Sequence, residues 1–385
     1  MARAKAAVTA VRSGSGPVLD GCHRLADIGS LAARTLPPEI RDFIDGGSGD
    51  EVTLRANRCA FDTVALVPRV LSGVQHRTTE GRIFASSARL PLAVAPMAFQ
   101  RWVHPGGEIA SARAAAAAGI PFAVSLMSST AVEQVVATGA AVWMQLYGLR
   151  DRRLLDRVVG RAEDAGCDGL MLTVDMPVMA RRLRDVRHGL RLPDRVRPVH
   201  LGADGDSHGT EQDGMELFHH PSIHFDPGLS WADLDWLRAR TRLPLAVKGV
   251  LAPVDASRAI AAGADAVVVS NHGGRQLDGT VTSVAALPAV VEAVAGQGQV
   301  LLDSGVRSGV HVLKALAMGA SGVLIGRPIL WGLGLGGEDG VARVLELLGT
   351  ELDEAMALAG CSDRTAAGNL TTMPTGCCRN GTAGG

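Results

Sequence analysis

Ala262-Gly263-Ala264-Asp265-Ala266-Val267-Val268-Val269-Ser270-Asn271-His272-Gly273-Gly274-Arg275-Gln276-Leu277-Asp278 contains the unit from which the chain is built. An Ala-rich helix closes at Gly263, because glycine takes the left-handed conformation of a helix end at little cost. Two residues later a β-branched run begins, and at Ser270 polar residues take over. His272 and Arg275 stand three apart just past the strand end, which suits a base and a cation sharing one small anionic substrate. Gly273 and Gly274 let the backbone turn tightly there and approach a ligand. These residues by themselves are equally those of an ordinary polar loop.

The same unit recurs from about Leu90 onward. Helices end at Ala118-Gly119, Thr138-Gly139, Ala165-Gly166, Ala262-Gly263 and Met318-Gly319. Apolar strands are expected over Leu92–Ala95, Phe122–Ser125, Val142–Leu146, Leu170–Val174, Leu245–Lys248, Ala266–Ser270, Val300–Asp303 and Val323–Ile325. Their nearly continuous apolar character belongs to a parallel sheet covered on both faces. Eight such βα units predict an α/β fold, a (β/α)8 TIM barrel. Ahead of it, helices are expected over Leu25 to Ala33, from Pro37 or Pro38 to Gly46, and over Arg55 to Ala60, as an N-terminal extension.

The expected organisation is a disordered leader over 1–24, one folded domain over 25–371 and a disordered tail over 372–385. More than fifty residues rich in Arg, His, Asp and Gly separate Asp175 from the helix near Trp231. A connection of that length after the fourth strand predicts a mobile lid loop, 183–230.

Lys and Arg number 38 against 39 Asp and Glu, a formal net charge of -1, so no nucleic-acid partner is expected. Apolar residues make up 47% and aromatics only 3%, so the core must be Ala, Val and Leu. Cys22, Cys59, Cys167, Cys361, Cys377 and Cys378 form no C-x-x-C pair and match no zinc spacing, so no metal is expected. Scattered cysteines suggest a reducing compartment, the cytoplasm. No run is long enough to span a membrane.

In a TIM barrel the chemistry sits where the strands end. Those positions here are Ser125, Gln145 with Tyr147, Thr173 with Asp175, Lys248, Ser270 with His272, Asp303, and Gly326 with Arg327. Packing alone does not explain a polar group at nearly every strand end. After the last two strands, Asp303-Ser304-Gly305-Val306-Arg307 and Ile325-Gly326-Arg327-Pro328 offer main-chain N–H groups and two guanidinium groups, as a phosphate site would. Lys248 would be a buried cation at the barrel mouth, costly without an anion. A phosphorylated, electron-accepting cofactor would satisfy both features. Asp175 is placed to orient His272.

These motifs resemble the FMN-dependent α-hydroxy acid oxidase/dehydrogenase family over about Leu25 to Thr371. Ser270-Asn-His-Gly-Gly-Arg-Gln-Leu-Asp278 is highly specific to it, as is the order Gln-Leu-Tyr, Thr-Val-Asp, Val-Lys-Gly, Asp-x-Gly-Val-Arg, Ile-Gly-Arg-Pro. The resemblance implies FMN as cofactor and His272 as base, paired with Asp175. It implies that Arg275 and Arg182 hold a substrate carboxylate, that Tyr147 hydrogen-bonds the substrate, and that Lys248 lies by the flavin N1/O2 edge. Ala95, Pro96, Met97, Ala98, Ser125, Gln145, Thr173 and Ser270 would surround the ring and ribityl chain, with Asp303, Ser304, Gly305, Arg307, Gly326 and Arg327 at the ribityl and phosphate end.

Three departures bear on the substrate. Phe43 stands where the family usually has Tyr, Met127 where glycolate oxidase has Trp, and Ser304-Gly305 where Gly-Gly is common. Phe43, the Met179-x-Arg-Arg pattern and Phe99-Gln100-Arg101 resemble the branch that oxidises (S)-4-hydroxymandelate. A roomier, less polar pocket follows, formed with Phe43, Met127 and Met179 and suited to an aryl side chain. The expected reaction is oxidation of (S)-mandelate or (S)-4-hydroxymandelate to the 2-oxo acid, with O2 reduced to H2O2 by a homotetramer. The alternatives are a dehydrogenase using another acceptor, an oxidase of lactate or another aliphatic acid, and a non-redox FMN barrel isomerase.

Overall fold

The computed structural model describes residues 19–189, 192–193, 196–202 and 224–376. The eight expected strands form, each within two residues of its expected ends: β1 (Leu92–Val94), β2 (Phe122–Ser125), β3 (Val142–Tyr147), β4 (Gly169–Thr173), β5 (Leu245–Val250), β6 (Ala266–Val269), β7 (Gln299–Leu302) and β8 (Gly322–Ile325). All neighbours are parallel, and β8 pairs with β1 to close the barrel. The five expected helix-end glycines all have positive φ, from 65° at Gly119 to 96° at Gly319. This is the conformation a side chain would resist, and it lets each helix turn back to the next strand within a few residues.

The barrel interior holds Ala93, Ala123, Trp143, Met171, Ala246, Ala266, Val268, Leu301 and Leu324. Small side chains dominate because inward positions from eight strands share a narrow space. A hairpin of Gly81–Ile83 and Ser86–Ala88 plugs the end away from the strand C-termini, with the Phe84 ring set edge-on to Trp143 at 5.1 Å. Trp143 Nε1 donates to Ser86 Oγ at 2.9 Å, so the buried indole keeps its partner. The sequence reading missed this hairpin, whose strands are only three residues long.

The N-terminal helices run Leu25–Thr35, Pro38–Asp45 and Val52–Cys59. Two expected boundaries need correction. Leu19 and Cys22, assigned to the leader, are buried, and Thr371–Pro374, mostly assigned to the tail, pairs antiparallel with Val64–Val67. These ends stay ordered because each adds apolar contacts or ladder hydrogen bonds to the folded body. The rest of both segments, 1–18 and 377–385, lies outside the described residues.

The expected lid is partly structured. Leu183–His188 is a helix, Val196, Leu201 and Phe225 are buried, and Phe225 bridges Leu149. Residues 203–223 lie outside the described residues. His200, 1% exposed, sits in this segment, where Val199 N donates to Ser128 O at 3.1 Å. Burial, with Arg161 adding to it, pushes its imidazole down to about 4. The unfolded chain takes up this proton near 6.5 and the folded chain does so only near 4. Stability is therefore full above pH 6.5 and falls as the pH drops to 4, by about 3 kcal/mol at most. Melting at pH 7 and pH 4.5 should show a larger drop for the native protein than for a His200→Phe variant. Equal drops would place the acid sensitivity elsewhere.

Candidate active site

Parallel register lines up the polar strand ends on one rim. Ser125 lies beside Gln145, Tyr147 beside Thr173, and Thr173 beside Lys248. Ser125, Tyr147, Thr173 and Lys248 border a cavity of about 1220 Å3 of empty space, part of it open to solvent. It is lined by Ala95, Pro96, Met97 and Ala98 after β1, and by Ser125, Met127, Tyr147, Thr173 and Lys248 from β2 to β5. Asp303, Ser304, Gly305 and Arg307 follow β7, and Gly326 and Arg327 follow β8. Phe43, Met179, Arg182, His272 and Arg275 line it as well.

His272 has φ 58°, a left-handed conformation rare outside glycine. Its N–H donates to Ser270 Oγ at 3.0 Å, and Ser270 Oγ also accepts from Lys248 Nζ at 2.9 Å. Nδ1 lies 3.0 Å from Asp175 Oδ1, which leaves Nε2 as the ring nitrogen not engaged by the carboxylate. Burial pushes the imidazole below its ordinary range, and Asp175 opposes this only in part. Asp175 itself stays low, because the attraction of His272 and Lys248 outweighs burial. A neutral imidazole beside an ionised carboxylate is the form a general base needs. Burial pushes the Tyr147 hydroxyl up, so it stays protonated and able to donate.

Lys248 has the anion its burial demands, as Nζ lies 3.0 Å from Asp303 Oδ2. Asp303 and Asp175 together outweigh burial and keep the ammonium charged. Asp303, expected at the ribityl end, is thus first the counter-ion of Lys248. Its other oxygen accepts from Ser304 Oγ at 2.7 Å, and Ser304 Oγ accepts from Gly273 N at 2.9 Å. Ser304, the departure from Gly-Gly, therefore ties the His272 turn to the turn after β7.

The three arginines at the far wall and floor hold on to main chain. Arg275 Nη1 donates to Phe43 O at 2.9 Å and Gly46 O at 2.8 Å. Arg327 donates to Ile44 O and Gly46 O at 2.9 and 3.0 Å. Arg307 Nη1 donates to Val306 O, its Nε is buried without a hydrogen bond, and its guanidinium lies 5.1 Å over Trp331. Burial, then the repulsion of Arg327, pushes Arg307 down to about 9; burial likewise pushes Arg327 down to about 10. Guanidinium groups do not give up the proton, so two buried cations in one corner favour an anion there.

Between Lys248 and this corner the floor is small. A Cβ on Gly326 would meet nothing closer than Met97 Sδ at 3.8 Å and Ala95 Cβ at 3.9 Å. A flat floor, a charged Lys248 and two arginines that make no ion pair among the described residues fit a planar ring carrying a phosphate. The profile of the FMN-dependent dehydrogenase family matches residues 32–371. The chain belongs to that family. FMN is its cofactor, and the corner of Arg307 and Arg327 fits the phosphate.

Among relatives of known function, 4-hydroxymandelate oxidase of Amycolatopsis orientalis is 48% identical over 90% of this chain and 97% of its own. L-lactate oxidase of Nostoc sp. is 44% identical over 86% and 93%. A crystal structure of mandelate oxidase with (S)-4-hydroxymandelic acid superposes with a TM-score of 0.86 at 48% identity, covering 91% of this chain and 99% of that one.

Three expected site residues do not line the cavity. Gln145 lies behind it, accepting from Ser125 Oγ and donating to Thr173 Oγ1 at 3.1 and 3.0 Å. Ser270 and Asp175 stand behind Lys248 and His272. Conversely, the wall includes Ile44, Phe99, Met176, Phe225 and Leu330, which were not anticipated. Met176 directly follows Asp175 and was open to the strand-end argument. Phe225, whose ring lies 4.6 Å from Tyr147, comes from the polar segment after β4, where no periodic signal marks it.

Proposed function

We propose that the chain oxidises an aryl (S)-2-hydroxy acid, (S)-mandelate or (S)-4-hydroxymandelate, to the 2-oxo acid, with O2 as the final acceptor. The observation that carries this reading is the shape of the cavity beside His272. Two guanidinium groups, Arg182 and Arg275, line the cavity together with the apolar side chains of Phe43, Met127, Met176, Met179 and Phe225. A carboxylate on the arginines places an apolar side chain against those residues. Of the relatives named above, 4-hydroxymandelate oxidase and mandelate oxidase support the aryl reading, and L-lactate oxidase supports oxidation of a 2-hydroxy acid.

FMN, when bound, supplies the acceptor for two electrons. The protein residues bind and position. The arginine pair fixes the carboxylate by charge-assisted hydrogen bonds. Tyr147, held protonated, donates to the substrate. The proton leaving the substrate goes to His272 Nε2, since Nδ1 is committed to Asp175. Asp175 then stabilises the imidazolium. The two electrons and two protons removed from the alcohol reappear in hydrogen peroxide. Fixing the reacting atoms in this way supplies a large share of the rate.

The test is anaerobic mixing with (S)-mandelate followed by air. Bleaching of the flavin with fast recovery in air supports an oxidase. Bleaching without recovery makes it a dehydrogenase with another acceptor, and bleaching by (S)-lactate alone overturns the aryl assignment. Met127→Trp should lower kcat/KM for mandelate about tenfold more than for lactate, since added bulk at a pocket wall is felt by the larger side chain. Equal losses would place Met127 away from the substrate side chain.

A homotetramer in the cytoplasm belongs to the same proposal. The family resemblance supports the first, and the free thiols of Cys22, Cys59, Cys167 and Cys361 are in keeping with the second. Light scattering should give a mass four times that of the chain.

A further inference from the structure

The two arginines of the carboxylate site are held in different ways. Arg275 is anchored by two main-chain carbonyls. Arg182, which precedes the helix Leu183–His188, makes one weak hydrogen bond, Nη2 to Met179 Sδ at 3.4 Å, and its Nε has none. Its partner is a charge. Asp185 lies on that helix with a fully buried side chain, 3.9 Å from Arg182 Nη1, and neither carboxylate oxygen accepts a hydrogen bond. A buried carboxylate with no hydrogen bond is costly and calls for an explanation.

We infer that Asp185 is a positioning residue for the substrate carboxylate: it is the buried counter-charge that sets where Arg182 rests and how tightly Arg182 grips an anion. The inference rests on the assignment of Arg182 and Arg275 to a carboxylate. Because Asp185 is not hydrogen-bonded to Arg182, the donors of the guanidinium remain available to a substrate. The attraction is strong enough to hold the side chain at the wall and weak enough to be shared. The charged groups around Asp185 are Arg275, then Arg182 on its own segment, Asp42 on the helix Pro38–Asp45, and Arg184. Of these, Asp42 is already bound by Arg184 at 3.5 Å and His188 at 3.0 Å. Asp185 is therefore the anion left to Arg182, its neighbour at 3.9 Å, and its field reaches Arg275 as well.

Asp185→Asn keeps the shape and removes the charge. Arg182 then has the ligand as its counter-ion. The dissociation constant of benzoylformate, read from the flavin absorbance, should fall about tenfold. The rate of flavin reduction at saturating (S)-mandelate should also fall about tenfold, because the carboxylate is drawn away from its productive position. This split between tighter binding and slower reduction is not what a loosened fold produces. Weaker binding with an unchanged rate, or no change in either, would overturn the inference.

A second comparison covers misfolding of the single variant. Arg182→Met and Arg182→Met/Asp185→Asn should bind benzoylformate equally within about twofold, and removing both buried charges together is tolerated better than removing one. Further tightening in the double variant would show that Asp185 acts through Arg275 or on the ligand itself and not through Arg182, and would overturn the inference. If (S)-mandelate fails to reduce the native flavoprotein, the aryl reading fails separately, and the same measurements with pyruvate and (S)-lactate still decide the role of Asp185.

Discussion

His272→Ala leaves FMN bound and lowers the rate of flavin reduction by (S)-mandelate by about 10^4-fold, the upper range for removing a positioned base. Among the described cavity residues, His272 is the only imidazole, and its Nε2 is not committed to Asp175. The neighbouring carboxylate already points at its Nδ1, and burial holds the Tyr147 proton in place. Among the described residues no side chain stands ready to replace it. Cofactor binding should survive because the groups that fit the ring and phosphate, Lys248, Arg307 and Arg327, do not depend on the imidazole. The pH dependence follows from the same environment. Burial lowers the imidazole below 6.5, so the neutral form prevails at pH 7 and the rate falls only as the pH drops through that lowered value. Stopped-flow reduction from pH 5 to 8 checks both statements. A rate falling with a midpoint above 6.5, or a His272→Ala enzyme within tenfold of the native one, would remove His272 as the base.

Arg275→Lys lowers the ratio of reduction rate to substrate dissociation constant by about 10^3-fold, close to 4 kcal/mol of transition-state stabilisation. The charge is retained, so electrostatics alone predicts a small effect. The geometry predicts a large one. Nη1 of Arg275 is committed to the carbonyls of Phe43 and Gly46, leaving the rest of the planar fork for the substrate. A lysine has a single ammonium at the end of its stem and serves the carbonyls or the carboxylate, not both sets with the same directions. The Phe43 ring, 5.7 Å from the guanidinium, adds a face that favours the planar cation. Transient kinetics with (S)-mandelate checks the expectation. A loss below tenfold would show that the site reads charge and not shape.

The places of these residues in the fold also show how far the sequence reaches. His272, Asp175 and Arg275 were legible because strand ends announce themselves locally: a β-branched run stops, glycines follow, and polar groups appear in a fixed order. The chain does not show locally what lies across the barrel. Arg275 and Phe43 O are 232 residues apart, and nothing in either stretch states that a carbonyl will receive the guanidinium. The shortness of the strands in the plug hairpin and in the pair of Val64–Val67 with Thr371–Pro374 hid them for a related reason. A run of three or four residues carries too little alternation to be recognised.

The sequence by itself determined the barrel, the family and its cofactor, because helix ends, strand runs and motif order are properties of neighbouring residues. Only the tertiary structure decided that Asp303 neutralises Lys248, that Phe225 closes the wall beside Tyr147, and that Arg275 rests on carbonyls while Arg182 rests on Asp185. Charge pairing and burial act through space. Their partners are chosen when the sheet closes, by which strand ends and which extension residues the closed barrel brings within 3 to 4 Å of each other.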